Sequence, residues 1–394
     1  MKLSTPHINR NDITSITSVM RTGWISTSAK VVNDFEKRLS NFCQTKYSVA
    51  LNSGTSAIHL GLRILGVDNN CEVIVPSLTF IATINPILYL GAKPIIFDVD
   101  EYHNLKIEDV ISFIENQTKF HNQKTINKKT KKQIRVIIVA HMWGRACNFS
   151  KLKSLCKKRK IFILEDTAEA LGSYIDTNSK KLRPRHCGSL GDIGCLSFNA
   201  NKIITTGSGG AIITNNKKFY EKAQYLSNQA KDDTFNYIHN DCGYNYKLNG
   251  ITAALGISQL KRIKKKISLR EKIYRRYLLN FKKQKDIKIL SFPKNTKTNY
   301  WINIISFKIL NFKQTYELSL RLKKKRIETR RIWRPLHLQS YLKKFDSHKV
   351  KNATKYYYYS LCIPSDDNLK ISDVDKISNL IKKYYFMISQ DEKY

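Results

Sequence analysis

A carboxylate and an amine, Asp166 and Lys202, stand where two strands of the sequence are predicted to end. The apolar, β-branched run at 161–164 is typical of a buried parallel strand and leads to Asp166. A second predicted strand, 194–198, leads to Lys202. Ligands bind at the carboxyl ends of the strands in open α/β sheets. We therefore expect both side chains to lie at one edge of a sheet.

A carboxylate and an amine that converge in this way suit pyridoxal phosphate. A lysine forms a Schiff base with the aldehyde of this cofactor, and an aspartate keeps the pyridine nitrogen protonated so that the ring accepts electrons. Each residue alone has an ordinary alternative, since an aspartate after a strand commonly caps a helix and a loop lysine is commonly solvated. The pair together predicts a cofactor site.

The sequence around this pair resembles a known family. The strings EDTAEA (165–170), SFNANK (197–202) and GYNYKL (243–248) are similar to motifs of the DegT/DnrJ/EryC1/StrS sugar-nucleotide aminotransferases. The resemblance extends from about residue 23 to about residue 337. It implies an α/β fold-type I aminotransferase, with a mostly parallel sheet flanked by helices in the large domain and a smaller α+β C-terminal domain. We place the large, cofactor-binding domain at 1–255, and the connecting helix and small domain at 256–394.

The same resemblance implies roles for individual residues. Lys202 and Asp166 are the predicted catalytic residues: the lysine holds the cofactor and the aspartate pairs with the pyridine nitrogen. Ala168 packs under the ring, Glu169 lies near the ring hydroxyl at a position that is often Gln in relatives, and Phe80 stacks on the ring. The complete predicted cofactor-binding set is Gly54, Thr55, Ser56, Phe80, Asp166, Ala168, Glu169, Ser197, Lys202 and Asn245.

A phosphate site is predicted at the turn 52–55, between a strand at 47–51 and a helix at 56–65. The N-terminus of a helix presents free N–H groups and a positive dipole end, which suit an anion. Simple helix capping by Ser53 or Thr55 is the alternative. The resemblance also implies that Asn245 reaches the cofactor phosphate of a neighbouring subunit, and hence a homodimer. An asparagine that satisfies a local turn is the alternative here.

The resemblance suggests a keto-sugar nucleotide as the acceptor and glutamate as the amino donor, with Trp24, Arg330 and His337 as substrate contacts. A packing tryptophan and a basic surface loop would look the same in sequence. Four strings resemble the branch that aminates UDP-linked 4-keto-6-deoxy-N-acetylhexosamines for surface polysaccharide or glycan synthesis: 198–207, 226–233, 243–248 and 332–337. We expect UDP-4-keto-6-deoxy-N-acetylglucosamine, with GDP-4-keto-6-deoxymannose as the alternative that leads to perosamine.

Three other functions compete with this one. A sugar dehydratase on the same fold is disfavoured because such enzymes carry histidine in place of Lys202. An aminotransferase for a substrate without a nucleotide, such as an inosose, would differ only in the outer pocket. A non-enzymatic regulator or nucleic-acid-binding protein would explain the positive charge, but it would not explain the intact set of cofactor residues.

The composition agrees with a soluble enzyme in the cytoplasm. The sequence has 394 residues, room for two domains, and a net charge of +38 from 69 basic and 31 acidic side chains. Since Lys, Asn, Ile and Tyr are all abundant and the basic residues are widely spread, we interpret this charge as compositional and do not expect a nucleic-acid partner. The eight cysteines show no metal-ligand spacing, so no metal site is expected. No apolar run approaches the roughly 20 residues of a membrane span.

Three further segments are interpreted from the sequence: two polar surface segments and one long helix. The basic segment 116–133 has little apolar content and is interpreted as a solvated surface insertion, with a basic contact arm as the alternative. A second extra loop, polar in character, is expected at 176–185. A long amphipathic helix is predicted over 251–281.

Overall fold

A computed structural model describes residues 1–176 and 183–390 of the chain. Within these residues the helices are α1 (Arg10–Arg21), α2 (Lys30–Phe42), α3 (Gly54–Ile64), α4 (Asn85–Tyr89), α5 (Ile107–Gln117), α6 (Ser150–Arg159), α7 (Lys217–Ser227), α8 (Gly250–Lys261), α9 (Ile263–Phe281), α10 (Phe312–Lys324), α11 (Asn352–Tyr359) and α12 (Ile371–Gln390). In this part of the chain, no helix is both long and apolar enough to cross a membrane.

The strands, numbered along the chain, form one large sheet and three smaller ones. They are β1 (Tyr47–Leu51), β2 (Cys71–Pro76), β3 (Lys93–Phe97), β4 (Thr118–His121), β5 (Lys124–Asn127), β6 (Gln133–Ala140), β7 (Phe162–Asp166), β8 (Tyr174–Ile175), β9 (Arg185–His186), β10 (Ile193–Ser197), β11 (Gly210–Thr214), β12 (Lys231–Asp233), β13 (Ile238–His239), β14 (Ile287–Ile289), β15 (Thr296–Lys297), β16 (Asn303–Phe307), β17 (Arg330–Arg331), β18 (Ser347–His348) and β19 (Ser360–Ile363).

The large sheet is mostly parallel and has the order β1-β11-β10-β7-β6-β2-β3-β18. Along this path β11 runs antiparallel to both of its neighbours, β1 and β10, and the other described pairs are parallel. The central strands are buried on both faces, which explains their continuous apolar sequences. In the register of the sheet, Asp166 stands opposite Ala140 on one side and Cys195 on the other. The parallel order thereby brings the ends of β6, β7 and β10 to one edge.

A second, antiparallel sheet follows in the sequence, with the order β14-β16-β19-β17. It shares an apolar core with α9, α10 and α12, in which Tyr277, Ile305, Leu318 and Ile381 are buried. The C-terminal chain is not confined to this unit, because β18 pairs with β3 at the edge of the large sheet. The domain boundary at residue 255 stays a prediction.

The helix predicted over 251–281 is two helices, α8 and α9, which meet at Arg262. Arg262 leaves the helical conformation at φ −104° and ψ 0°. Its guanidinium pairs with Asp12, which is fully buried at the start of α1. The apolar period continues across this break, so the sequence pattern does not reveal it.

The segment 116–133, interpreted as a solvated surface insertion, is mostly exposed, but it has regular structure that was not predicted. The segment forms a hairpin, β4 and β5, whose turn has Asn122 and Gln123 at positive φ, as two-residue hairpin turns require. The hairpin joins the large sheet through Ile126 opposite Gln133. Its outward side chains are basic and exposed, which hides the strand pattern in the sequence. The polar loop expected at 176–185 lies mostly outside the described residues.

One carboxylate connects the large sheet to the C-terminal segment. Asp98 follows β3, and its two oxygens accept the backbone N–H groups of Lys351, Asn352 and Ala353 at 2.8–3.0 Å. These are the unpaired donors at the start of α11. Asp98 therefore caps a helix that begins more than 250 residues later in the sequence.

We predict that Asp98→Ala lowers the free energy of unfolding by about 2 kcal/mol, because three backbone donors, of which that of Ala353 is buried, lose their acceptor. Equilibrium unfolding in urea measures the change. Asp98→Asn keeps one side-chain oxygen and should lose less, and Asp34→Ala, at an exposed position on α2, is the control. A result for Asp98→Ala equal to that for Asp34→Ala would contradict the capping role.

Candidate active site

A cavity of about 290 Å³ opens at the carboxyl edge of the large sheet. It is lined by Ser53, Gly54, Thr55, Ile58, Thr79, Phe80, Ala82, Thr83, Ala140, His141, Met142, Asp166, Ala168, Glu169, Ser197, Asn199, Asn201, Lys202, Ser208, Gly209 and Trp333. Eight members of the predicted cofactor set line it: Gly54, Thr55, Phe80, Asp166, Ala168, Glu169, Ser197 and Lys202. Residues from distant parts of the sequence are thus brought to one place.

Asp166 is the last residue of β7, and its carboxylate is held from two sides. Thr83 donates its hydroxyl proton to Oδ2 at 2.6 Å, and the backbone N–H of Ala168 donates to Oδ1 at 3.1 Å. The Thr83 hydroxyl is in turn 2.7 Å from that of Thr79. Because these bonds fix the carboxylate, Asp166 faces the cavity in one orientation.

Lys202 follows β10, and its Nζ lies between a carboxylate and an aromatic ring. The nitrogen is 3.7 Å from Oε1 of Glu169 and 4.1 Å from the ring centroid of Trp301. Burial lowers the pKa of Lys202, and the negative charges of Glu169 and Asp166 oppose this shift. A lowered pKa increases the neutral fraction of the amine, and the neutral amine is the nucleophile.

Glu169 is buried opposite this amine. Its Oε2 accepts the backbone N–H of Trp143 at 2.7 Å, and its Oε1 accepts the indole N–H of Trp333 at 3.2 Å. Burial raises the pKa of Glu169, and the charge of Lys202 opposes that rise. The pKa values of the acid and the amine are thus shifted towards each other, which favours proton exchange between the two groups.

The turn before α3 can hold an anion. Helix α3 begins at Gly54, and the Ser53 hydroxyl accepts the backbone N–H of Ser56, so Ser53 and not Thr55 is the cap. The N–H groups of Gly54 and Thr55 have no partner within the helix and are available to a ligand. A Cβ on Gly54 would lie 2.8 Å from the Cβ of Ser197, so the close packing of this turn on β10 requires glycine. The Ser56 hydroxyl is engaged with Asn52 at 2.6 Å.

Besides Ser56, four predicted site residues do not line the cavity of this chain. Asn245 is exposed, and its carbonyl accepts a bond from Asn52. Trp24 is 68% exposed. Arg330 pairs with Glu328, and His337 bonds through both ring nitrogens, to Ser77 and Thr354. The substrate and partner roles of these four residues stay predictions.

Sequence reasoning missed several residues that shape the site, including His141. The Nδ1 of His141 accepts the backbone N–H of Cys147 at 3.0 Å, so Nε2 carries the proton and donates to Glu165 at 2.8 Å. Burial alone would raise the pKa of Glu165, but the bonds from His141, Gly191 and Gly188 lower it. His141 belongs to the string HMWG and Trp333 to IWRPLH, so the motifs contained a signal for both.

These residues fit pyridoxal phosphate. Asp166 can face the pyridine nitrogen, Lys202 the aldehyde, and the start of α3 the phosphate. The ring of Phe80 is 48% exposed and offers a flat apolar face to the cavity. Groups that suit the ring, the aldehyde and the phosphate of the cofactor are thus present in this cavity.

Comparison with known proteins agrees with this site. A sequence model of the DegT/DnrJ/EryC1/StrS aminotransferase family matches residues 6–382. The chain is 32% identical to a GDP-perosamine synthase of Escherichia coli O157:H7 over 364 residues, covering 92% of each chain. It is 29% identical to a UDP-4-amino-4,6-dideoxy-N-acetyl-beta-L-altrosamine transaminase of Campylobacter jejuni, strain 81-176, covering 95% of each.

The fold agrees with solved relatives as well. The pyridoxal phosphate form of the Streptococcus pneumoniae protein Spr1654 superposes with a TM-score of 0.87, at 25% identity, covering 98% of this chain and 99% of that one. The predicted fold-type I architecture and the predicted cofactor are thereby confirmed. The chain belongs to the DegT/DnrJ/EryC1/StrS aminotransferase family, whose members are pyridoxal phosphate-dependent aminotransferases.

Proposed function

We propose that this sugar-nucleotide aminotransferase transfers an amino group from glutamate to a 4-keto-6-deoxyhexose carried on a nucleoside diphosphate. The observation that carries the proposal is the meeting of Lys202, Glu169 and Asp166 in one cavity, beside the N-terminus of α3. An amine, a carboxylate for the ring nitrogen and an anion site are the groups that amino transfer on this cofactor requires.

When bound, the cofactor supplies an aldehyde that takes up the amino group and a ring that accepts electrons. The chain supplies the positioning. The N–H groups at the start of α3 would bind the phosphate, and Phe80 would cover one face of the ring. Asp166, oriented by Thr83, stabilises a proton on the ring nitrogen.

Lys202 moves protons in this scheme. Burial lowers its pKa and so increases the share of neutral amine, which can take a proton from the α-carbon of the donor. The resulting ammonium is attracted to Glu169 at 3.7 Å and then returns the proton as a general acid. The same nitrogen would hold the cofactor covalently between turnovers.

We expect borohydride reduction of the holoenzyme to fix the cofactor on the peptide that contains Lys202, as peptide mass spectrometry would show. Lys202→Ala should bind the cofactor non-covalently and lose several orders of magnitude in turnover, because the proton carrier is removed. Lys247→Ala is a control, since this half-buried lysine pairs with Glu36. Cofactor trapped on another lysine would refute the assignment.

The substitution Glu169→Gln tests whether the carboxylate of Glu169 raises the pKa of Lys202. Glutamine can accept the bond from Trp143, but it removes the negative charge that raises the pKa of Lys202. The pKa of Lys202 should therefore fall further below its ordinary value.

Stopped-flow absorbance can follow how fast the apoenzyme captures pyridoxal phosphate at each pH. Since the neutral amine reacts, the midpoint of this profile should move to lower pH in Glu169→Gln than in the wild type. Glu115→Gln, at an exposed position, serves as the control and should keep the wild-type midpoint. A midpoint that stays unchanged, or moves to higher pH, in Glu169→Gln would show that the carboxylate does not act on Lys202.

The first candidate acceptor is UDP-4-keto-6-deoxy-N-acetylglucosamine. Support comes from the similarity of four strings to the UDP-sugar branch, and from the 29% identity to the Campylobacter jejuni transaminase named for a UDP-linked amino sugar. A basic surface attracts a doubly charged diphosphate, and the chain has a net charge of +38.

The second candidate acceptor is GDP-4-keto-6-deoxymannose. It is favoured by the 32% identity to the Escherichia coli GDP-perosamine synthase. Both acceptors share the 4-ketone and the anionic diphosphate, and they differ in the base and the acetamido group.

A panel of keto-sugar nucleotides supplied with glutamate would separate the two, with release of 2-oxoglutarate as the measurement. We expect the highest kcat/KM with the UDP-linked 4-keto sugar. A preference for the GDP-linked sugar would select the second candidate. A preference for a deoxythymidine-linked 3-keto sugar would reject both acceptors while leaving Lys202 and Asp166 in their roles.

We also propose a homodimer as the active unit. Asn245 is exposed and does not line the cavity of its own chain, which leaves it available to a neighbouring one. The resemblance to the family assigns it to the phosphate of that neighbour.

A further inference from the structure

Trp301 lies directly under the amine of Lys202. The Nζ of Lys202 is 4.1 Å from the centroid of the indole ring, and Trp301 is 1% exposed. A cation over an aromatic face is attracted by the ring quadrupole, most strongly for tryptophan and in a site shielded from water. Trp301 lies just before β16, about 100 residues from Lys202 in the sequence.

Trp301 also binds the loop that carries Lys202. Its indole N–H donates to the carbonyl of Asn201 at 2.7 Å, and the hydroxyl of Ser4 donates to the same carbonyl at 3.1 Å. Asn201, which precedes Lys202 in the sequence, is thus held by the same indole ring that lies under the amine of Lys202. One indole therefore fixes both the backbone and the side-chain end of Lys202.

The backbone of Trp301 is held by a buried ion pair. The carbonyl of Trp301 accepts a bond from Arg270 at 2.6 Å, and Arg270 pairs with Asp367 at 3.0 Å. The side chains of Arg270 and Asp367 are 1% and 2% exposed. Buried charges of this kind keep their geometry because each would be costly without its partner.

The side-chain amide of Asn299 links Trp301 to Glu169. The Oδ1 of Asn299 accepts the N–H of Trp301 at 3.0 Å, and its amide nitrogen donates to the carbonyl of Glu169 at 2.8 Å. A Cβ on Gly144 would lie 2.0 Å from the Oδ1 of Asn299, and Gly144 has φ +84°. Glycine at position 144 is therefore required for this bridge. Glu169 and Trp301, which both lie close to the amine of Lys202, thus share one anchor.

Three of the four tryptophans form a stack beside the site. Trp143 is stacked between Trp301, at 6.2 Å and 12°, and Trp333, at 5.3 Å and 27°. Trp333 donates its indole N–H to Glu169. This stack keeps the Trp301 ring from rotating away from the amine.

We propose that Trp301 is a positioning residue for Lys202: its indole face binds the ammonium, and its N–H holds the loop at Asn201, so that the amine stays within reach of the cofactor. The proposal rests on the proposed role of Lys202 as the amine that holds the cofactor. The charged groups that face Lys202 are the carboxylates of Glu169 and Asp166, and the Trp301 ring acts in the same direction as both. The ring stabilises the ammonium and so opposes the lowering of the Lys202 pKa by burial.

The test is the pKa of Lys202 in the apoenzyme, measured by competitive acetylation with acetic anhydride and peptide mass spectrometry. The exposed Lys222 reports the general reactivity of the sample. Incorporation of 5,6,7-trifluorotryptophan at position 301 by nonsense suppression keeps the shape of the ring and its N–H but weakens the quadrupole. We expect the pKa of Lys202 to fall by about one unit.

Trifluorotryptophan at position 143 is the matched control. That ring stacks on Trp301 and does not lie under the amine, so the pKa of Lys202 should keep its wild-type value. An unchanged pKa with the fluorinated ring at position 301, or an equal fall at both positions, would overturn the proposal.

Trp301→Phe tests the hydrogen bond to Asn201. It keeps a ring under the amine but removes the N–H, so the dissociation constant for pyridoxal phosphate should rise several-fold, while the pKa of Lys202 falls less than with the fluorinated ring. A dissociation constant equal to that of the wild type would overturn the role of the indole N–H. Because the acetylation is done without cofactor, its result is independent of whether borohydride traps the cofactor on Lys202.

Discussion

The burial of an amine and two carboxylates in one cavity is the constraint on which the site depends. A buried charge is costly unless hydrogen bonds or an opposite charge compensate it. Lys202 is compensated by Glu169 and Trp301, and Asp166 by Thr83 and a backbone N–H. These partners come from separate parts of the fold, so the loops at the sheet edge are held together by the groups that perform the chemistry.

Side chains alternate along β7, so two neighbouring carboxylates, Glu165 and Asp166, have different roles. Successive residues of a strand point to opposite faces, so Glu165 and Asp166 serve different sides of the sheet. Asp166 lines the cavity, whereas Glu165 accepts bonds from His141, Gly188, Leu190 and Gly191. One carboxylate is available to the ligand, and the other stabilises the loop that leads into β10. Of these two consecutive residues, Glu165 thus contributes to the stability of the loop and Asp166 to the function of the cavity.

The central strands, and the pair of residues that they carry, could be predicted from sequence alone. Buried parallel strands are continuous apolar runs, and the strand order brings their ends together, so the sequence pattern is enough to place Asp166 and Lys202 at one edge. The hairpin at β4 and β5 could not be predicted, because its exposed basic side chains hide the strand pattern. The break at Arg262 could not be predicted either, because it depends on Asp12, a partner that lies far away in the sequence. Trp301 was missed for the same reason, since its contact with Lys202 spans about 100 residues and no local pattern signals it.

We propose that this cavity carries out an amino-transfer half-reaction with glutamate as donor. The most direct measurement is to mix the holoenzyme with glutamate, without any sugar, and to record the absorbance spectrum and the 2-oxoglutarate released. The arrangement of Lys202, Glu169 and Asp166 predicts one equivalent of 2-oxoglutarate per bound cofactor, with conversion of the cofactor from its pyridoxal to its pyridoxamine form. An unchanged spectrum and no 2-oxoglutarate, from an enzyme fully loaded with cofactor, would contradict it.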